Sequence, residues 1–154
     1  MAPDESSPTE EANSMSVAES PVMGVAASLA NPYCYFLDDD AFVETARPGF
    51  RHRVITGEHL QLCFWRIAGG TEGSFLHNHA DNEQLGVIMR GKLNFRIGPE
   101  GANDERITLG EGDSYLAPKS IWHGDSVFIG DDTYGECWIL DVFAPPRADL
   151  ADTG

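Results

Sequence analysis

The stretch that decides the fold is HNHADNEQLGVIMRG, His77 to Gly91. His77 and His79 stand one residue apart, the pair Glu83-Gln84 follows, and an apolar run closes at Gly91. Along a strand, side chains at i and i+2 leave the same face, so the two imidazoles point into one space. Neutral imidazoles side by side are common metal ligands. Alone, the pair also describes two unrelated surface or core histidines, so the rest of the chain has to decide.

Outward from this stretch the sequence reads as short strands. RHRVIT and HLQLCFWRI are separated by Gly57-Glu58, a hairpin-like junction. In KLNFRIG, Leu93, Phe95 and Ile97 alternate with Lys92, Asn94 and Arg96, a period of two. RITLGEGDSYLAP gives two further strands around glycines, and GECWILDVF gives a long one stopped by Pro145-Pro146. No amphipathic helix longer than two turns is expected. Many short strands with Gly/Pro turns predict an all-β sandwich or barrel.

Beyond the first stretch, Gly112 is followed by five residues, Pro118, and then His123. Four residues separate Gln84 from His79 and six separate it from Gly91. Over about residues 50–145 this double pattern resembles the cupin superfamily. The resemblance implies a cupin double-stranded β-helix, a small jelly-roll barrel with one metal in its mouth. Its implied ligands are His77, His79, His123 and Gln84, with Glu83 as the alternative. The count to Gly91 selects Gln84 and sends Glu83 to the other face. The odd offset from His79 then requires a turn or bulge in Ala80-Asp81-Asn82. The sequence departs from the pattern at Thr71, Ser120 and Val127. These positions affect turns more than ligands. One divalent transition metal is expected, Zn, Ni, Mn or Fe.

The segment LDVFAPPRADL, with the two motif regions, is similar to the KdgF family of small cupins and to cupin-type polyketide cyclases. KdgF proteins promote the opening of 4,5-unsaturated uronates. That resemblance implies catalytic roles for Asp141, Phe143 and Arg147. Asp141 and Phe143 share a strand face by parity. A carboxylate inside an apolar strand is disfavoured by desolvation unless paired, and a poised carboxyl can move protons. Arg147, after the Pro-Pro stop, could hold a substrate carboxylate. A structural Asp141–Arg147 ion pair is the competing expectation. His52 and His59 are expected to be structural or exposed. Trp65, Trp122 and Trp138 are expected mostly in the core, Trp122 being also a pocket candidate. Arg66, Arg90 and Arg96 are expected on the solvated face.

Charge narrows the partners. The chain of 154 residues carries 25 acidic and 10 basic side chains, a formal net charge of -15. Nucleic acid and anionic membranes are therefore excluded as expected partners. Three cysteines without a CxxC pair fit a reduced, cytoplasmic protein. VMGVAASLA has the look of a signal core, but the first basic residue is Arg47, so secretion is not expected. Residues 1–32 hold four prolines, five acids and no aromatic or basic residue. A disordered acidic tail is expected there, with the cupin domain over 33–150. The expected whole is a homodimeric metal-dependent enzyme acting on a small anionic, enolisable substrate. The expected reaction is a non-redox isomerisation, ring opening or cyclisation. The alternatives are an iron-dependent dioxygenase and a ligand-binding cupin without turnover.

Overall fold

A computed structural model describes residues 32–73, 75–100 and 105–153. The expected acidic tail lies, apart from Pro32, outside the described residues. Nine strands follow a short 3-10 turn at Asp39–Ala41: β1 (Val43–Glu44), β2 (Phe50–Thr56), β3 (Gln61–Ala68), β4 (Glu83–Arg90), β5 (Lys92–Gly98), β6 (Ile107–Leu109), β7 (Ser114–Ala117), β8 (Trp122–Ile129) and β9 (Glu136–Ala144). No helix among the described residues is long and apolar enough to cross a membrane.

The strands form two antiparallel sheets. One has the order β1-β2-β3-β9-β4-β7 and the other β6-β5-β8. Single bridges at Glu72–Val127 and His77–His123 lay the preceding segment alongside β8. Inward-facing residues of both sheets meet in one core. Phe50, Ile67, Ile88 and Ile139 come from the large sheet, and Leu93, Phe95 and Phe128 from the small one. Each such buried side chain stabilises the fold by roughly 1.5–3 kcal/mol. Cys63 and Cys137 are fully buried free thiols and pack as small hydrophobes, as expected.

Gly91 marks the corner where the chain leaves the large sheet and enters the small one. Its φ is +73°, and a Cβ there would collide with the Ile129 carbonyl oxygen and lie 3.0 Å from that of Glu136. Only glycine fits both the conformation and the space. Ahead of β1, Tyr33 and Tyr35 are exposed, while Phe36 stacks on Trp138 at 5.3 Å and meets Phe64 edge-on at 5.5 Å.

One surface expectation is overturned. Arg66 is only 6 % exposed, covered by this aromatic segment on the outer face of the large sheet. Its charge is balanced by Glu136 at 2.7 Å and Asp39 at 2.6 Å. Aromatic cover from outside the sheet allowed an outward residue to be buried, which strand parity does not reveal. His59 is exposed in the β2–β3 turn, and His52 lies half-buried against Trp65.

Candidate metal centre

The local backbone brings three histidines together from two segments. His77 and His123 face each other across the isolated bridge, each N–H donating to the other's carbonyl at 2.9 and 2.8 Å. The next residue, Gly124, has φ +124°, and a Cβ there would lie 2.5 Å from the Phe75 carbonyl oxygen. Glycine therefore permits the close approach that sets the pair. His79 reaches the same space, its ring 5.0 Å from that of His77 and 5.2 Å from that of His123. Residues 78–82 are not in a strand, and a bend at Ala80-Asp81 carries the chain from His79 to Gln84. The bend falls in the Ala80–Asn82 segment that the spacing required. It is held by Asn82, which donates to the Pro145 carbonyl, and by the His79 carbonyl, which accepts from the Ser120 N–H at 2.8 Å. Ser120 has φ +66°, so it occupies a left-handed position that suits glycine, as the motif comparison implies.

The potential ligand nitrogens of His77, His79 and His123 all lie within 4.8 Å of one another, and the three residues are positioned for a metal ion. Tautomers follow from the second nitrogens. His77 Nδ1 donates to the Phe75 carbonyl at 2.7 Å and His123 Nδ1 to the Ile121 carbonyl at 3.0 Å. Each Nε2 then carries a lone pair. The Oε1 of Gln84 lies 3.1 Å from His79 Nε2 and 3.0 Å from His123 Nε2. An amide oxygen facing the acceptor nitrogen of a neutral imidazole is unfavourable, and a cation between such donors resolves it. The donor set therefore fits a divalent metal. Burial, reinforced by neighbouring His77, His79 and Arg147, pushes the His123 pKa down to about 4. That of His79 is also lowered, chiefly by burial. Both histidines are thus neutral at pH 7, the form that binds metal. Glu83 is exposed on the opposite face of β4, so the structure places Gln84, not Glu83, beside the histidines.

Behind Gln84 runs a polar chain. Its Nε2 donates to the Tyr115 hydroxyl at 2.8 Å, and that hydroxyl donates to Asp141 Oδ1 at 3.3 Å. Trp65 Nε1 donates to Asp141 Oδ2 at 3.0 Å. Asp141 is 9 % exposed. Burial raises its pKa to about 6 against the lowering effects of hydrogen bonds from Gln84, Tyr115 and Trp65 and of the Arg147 charge. Phe143 is buried beside it, edge-on to the His79 ring at 5.8 Å. Arg147 lies over the Phe143 ring at 4.9 Å, but its guanidinium is engaged by Asp149 at 3.0 and 2.6 Å. The structural ion pair weighed for Arg147 is therefore made with Asp149, two residues on, rather than with Asp141. The fully buried Gln61 anchors this segment, accepting from the Arg147 N–H at 3.2 Å and donating to the Leu150 carbonyl at 3.0 Å.

His77, His123, Gln84, Asp141, Phe143 and Arg147 line one cavity of about 340 Å³ together with Trp65 and Tyr115. Trp122 does not line it. Sequence reading missed Trp65 and Tyr115 as members of the site. One signal was available for Tyr115: Gly86, a glycine inside a strand, which marks a close approach. A Cβ at Gly86 would collide with the Tyr115 ring.

This architecture is that of the cupins, and residues 63–131 match the family model of the cupin domain. Those residues are identified as a cupin domain, and the chain resembles KdgF in fold. The solved structure of KdgF from Halomonas sp. is 20 % identical, with a TM-score of 0.63 over 77 % of this chain and 99 % of that one. An RmlC-like cupin from Shewanella frigidimarina is 21 % identical, with a TM-score of 0.56 over 77 % and 97 %. A mutant oxalate decarboxylase from Bacillus subtilis is 20 % identical, with a TM-score of 0.58, covering 73 % of this chain and 29 % of that longer one. No curated protein sequence matches the chain.

Proposed function

We propose that the protein is a metal-dependent enzyme that catalyses a non-redox isomerisation, ring opening or cyclisation of a small anionic, enolisable molecule, an unsaturated uronate or a polyketide-like acid. The observation that carries this reading is the donor set of His77, His79, His123 and Gln84, without a carboxylate, next to the cavity that Gln84, His77 and His123 line together with one buried carboxyl, Asp141. A divalent ion held there would act as a Lewis acid, its charge uncancelled by a carboxylate ligand. The chain's own residues supply the remainder. Asp141, with its pKa raised toward neutrality, accepts a proton from the substrate and returns it to another substrate atom, so no net proton or electron is consumed. Trp65 and Tyr115 hold its two oxygens and fix where that transfer occurs. Arg147 holds the anionic group by exchanging its contact with Asp149 for one with the substrate. Phe143 supports the guanidinium from below, and Phe95, Phe128 and Ile139 exclude water from the cavity.

The test is a turnover screen of metal-loaded protein against 4,5-unsaturated uronates and linear polyketide acids, with oxygen uptake recorded in parallel. Turnover without oxygen uptake is expected. Asp141→Asn should lower the rate by about 10²- to 10⁴-fold, the range typical of acid–base groups, while retaining metal. Oxygen consumption coupled to turnover would move the protein to the dioxygenase reading. Ligand binding unaffected by Asp141→Asn, with no turnover, would make it a binding module.

A further inference from the structure

We infer that Tyr115 is a positioning residue that aims the amide oxygen of Gln84 at the metal, with Asp141 setting the direction of the hydrogen-bond chain. The inference rests on the metal site proposed above.

The direction follows from what each group can donate. The Trp65 indole donates only, so Asp141 Oδ2 accepts. Oδ1 of the same carboxyl lies 3.3 Å from the Tyr115 hydroxyl and accepts its single hydrogen. The Tyr115 oxygen then accepts, and the Gln84 group facing it at 2.8 Å must be the NH₂. The amide oxygen is left pointing at His79 and His123. In the reversed amide, NH₂ would donate to the His123 Nε2 lone pair, satisfying it and opposing a cation with N–H groups. Gln84 is buried, so no solvent partner settles its orientation. The two orientations are distinguished by Tyr115. The Tyr115 ring is itself fixed, packed on Phe95 at 4.8 Å and seated over Gly86, where a side chain of any size would displace it.

If only part of the population holds the ligand-competent amide, apparent metal affinity falls by that fraction. Removing the Tyr115 hydroxyl should therefore weaken metal binding by about 10-fold, equivalent to about 1.4 kcal/mol. That is within the range for groups that orient metal ligands.

The experiment titrates full-length protein with Co²⁺ and with Zn²⁺, for wild type, Tyr115→Phe, Gln84→Ala and the double variant. Phenylalanine keeps the ring and its packing, and the melting temperature of each metal-free variant reports folding. Tyr115→Phe is expected to weaken both metals about 10-fold and to shift the Co²⁺ absorption toward that of Gln84→Ala. In the Gln84→Ala background, with no amide to aim, the same change should alter affinity less than about threefold. An equal loss in both backgrounds, or no loss from Tyr115→Phe in a metal-binding wild type, overturns the inference and leaves the metal site standing. A wild type that binds neither metal overturns both.

Discussion

Gly86→Ala is the most informative single-methyl perturbation of this fold. A Cβ at Gly86 would lie 2.8 Å from the Tyr115 hydroxyl oxygen and closer still to the ring. Carbon atoms in proteins rest at about 3.5–4.0 Å, so the ring must retreat by roughly 1 Å or more. It has no free direction, because Phe95 packs on it at 4.8 Å and Gly86 pairs with both Tyr115 and Asp141 in the sheet. Retreat lengthens the 2.8 Å contact with Gln84 and breaks the 3.3 Å contact with Asp141. Overpacking costs about 1–3 kcal/mol, and each lost hydrogen bond about 0.5–1.5 kcal/mol. A destabilisation of about 2–4 kcal/mol is expected, read from urea unfolding of metal-free protein at unchanged m. The assay is a double-mutant cycle with Tyr115→Ala, which removes the ring the methyl group meets. In that background Gly86→Ala should cost less than about 1 kcal/mol, a residual strand effect. A Gly86→Ala variant as stable as wild type, or equally destabilised in both backgrounds, would refute the claim that Gly86 exists to admit Tyr115.

The left-handed Ser120 gives a prediction of opposite sign. The αL conformation costs a non-glycine residue about 1–2 kcal/mol, while glycine loses about 0.5–1 kcal/mol in chain entropy. Ser120→Gly should therefore raise stability by about 0.5–1 kcal/mol, with its N–H still donating to His79; a lower urea midpoint would contradict the strain. In metal-free protein two buried groups titrate in opposition. Asp141, raised to about 6, favours the folded state below its unfolded pKa, and that contribution is lost as pH rises through about 6. His123, lowered to about 4, contributes stability above its unfolded value that is lost as pH falls toward about 4. Each is linked to about 3 kcal/mol, so wild-type stability should vary little between pH 4 and 6 on their account. Asp141→Asn should expose the histidine slope, with stability rising across that window by more than in wild type; an unchanged slope measured by urea titration would be evidence against either assignment.

The parts of the site legible in the sequence are those carried by local spacing. His77, Gln84 and Gly91 lie in one 15-residue stretch, and the inward parity of Asp141 and Phe143 on β9 follows from the period of a strand. The bend between His79 and Gln84 was required by their odd offset. What could not be read depends on which strands become neighbours. Tyr115 meets Gln84 and Asp141 because β7 and β9 both pair with β4, contacts spanning 31 and 26 residues. Trp65 reaches Asp141 across the β3–β9 pairing, 76 residues apart. No local period encodes such register. A tryptophan in an apolar strand reads as core until its partner is known to be a carboxylate. Arg66 fails for the complementary reason: its cover comes from Phe36, outside any strand.

Charge distribution joins the composition to the proposed chemistry. A chain with a net charge of -15 repels an anion at long range, so a site for one must reverse that field locally. The cavity does so by exclusion. Among the described residues Asp141 is the only acidic one that lines it, while two of the 10 basic ones, Arg47 and Arg147, do. Arg47 is fixed over Phe50 at 4.4 Å and donates to the Gly73 carbonyl, and Arg147 lies over Phe143. The single carboxyl is one whose burial favours its protonated form. A carboxylate in place of Gln84 would put a second negative charge beside Asp141, raising its pKa further and weakening attraction for an anionic substrate. An amide at Gln84 is thus the choice that keeps both the metal and Asp141 serviceable near neutral pH. The same amide needs a neighbour to orient it, because unlike a carboxylate it has a wrong way round.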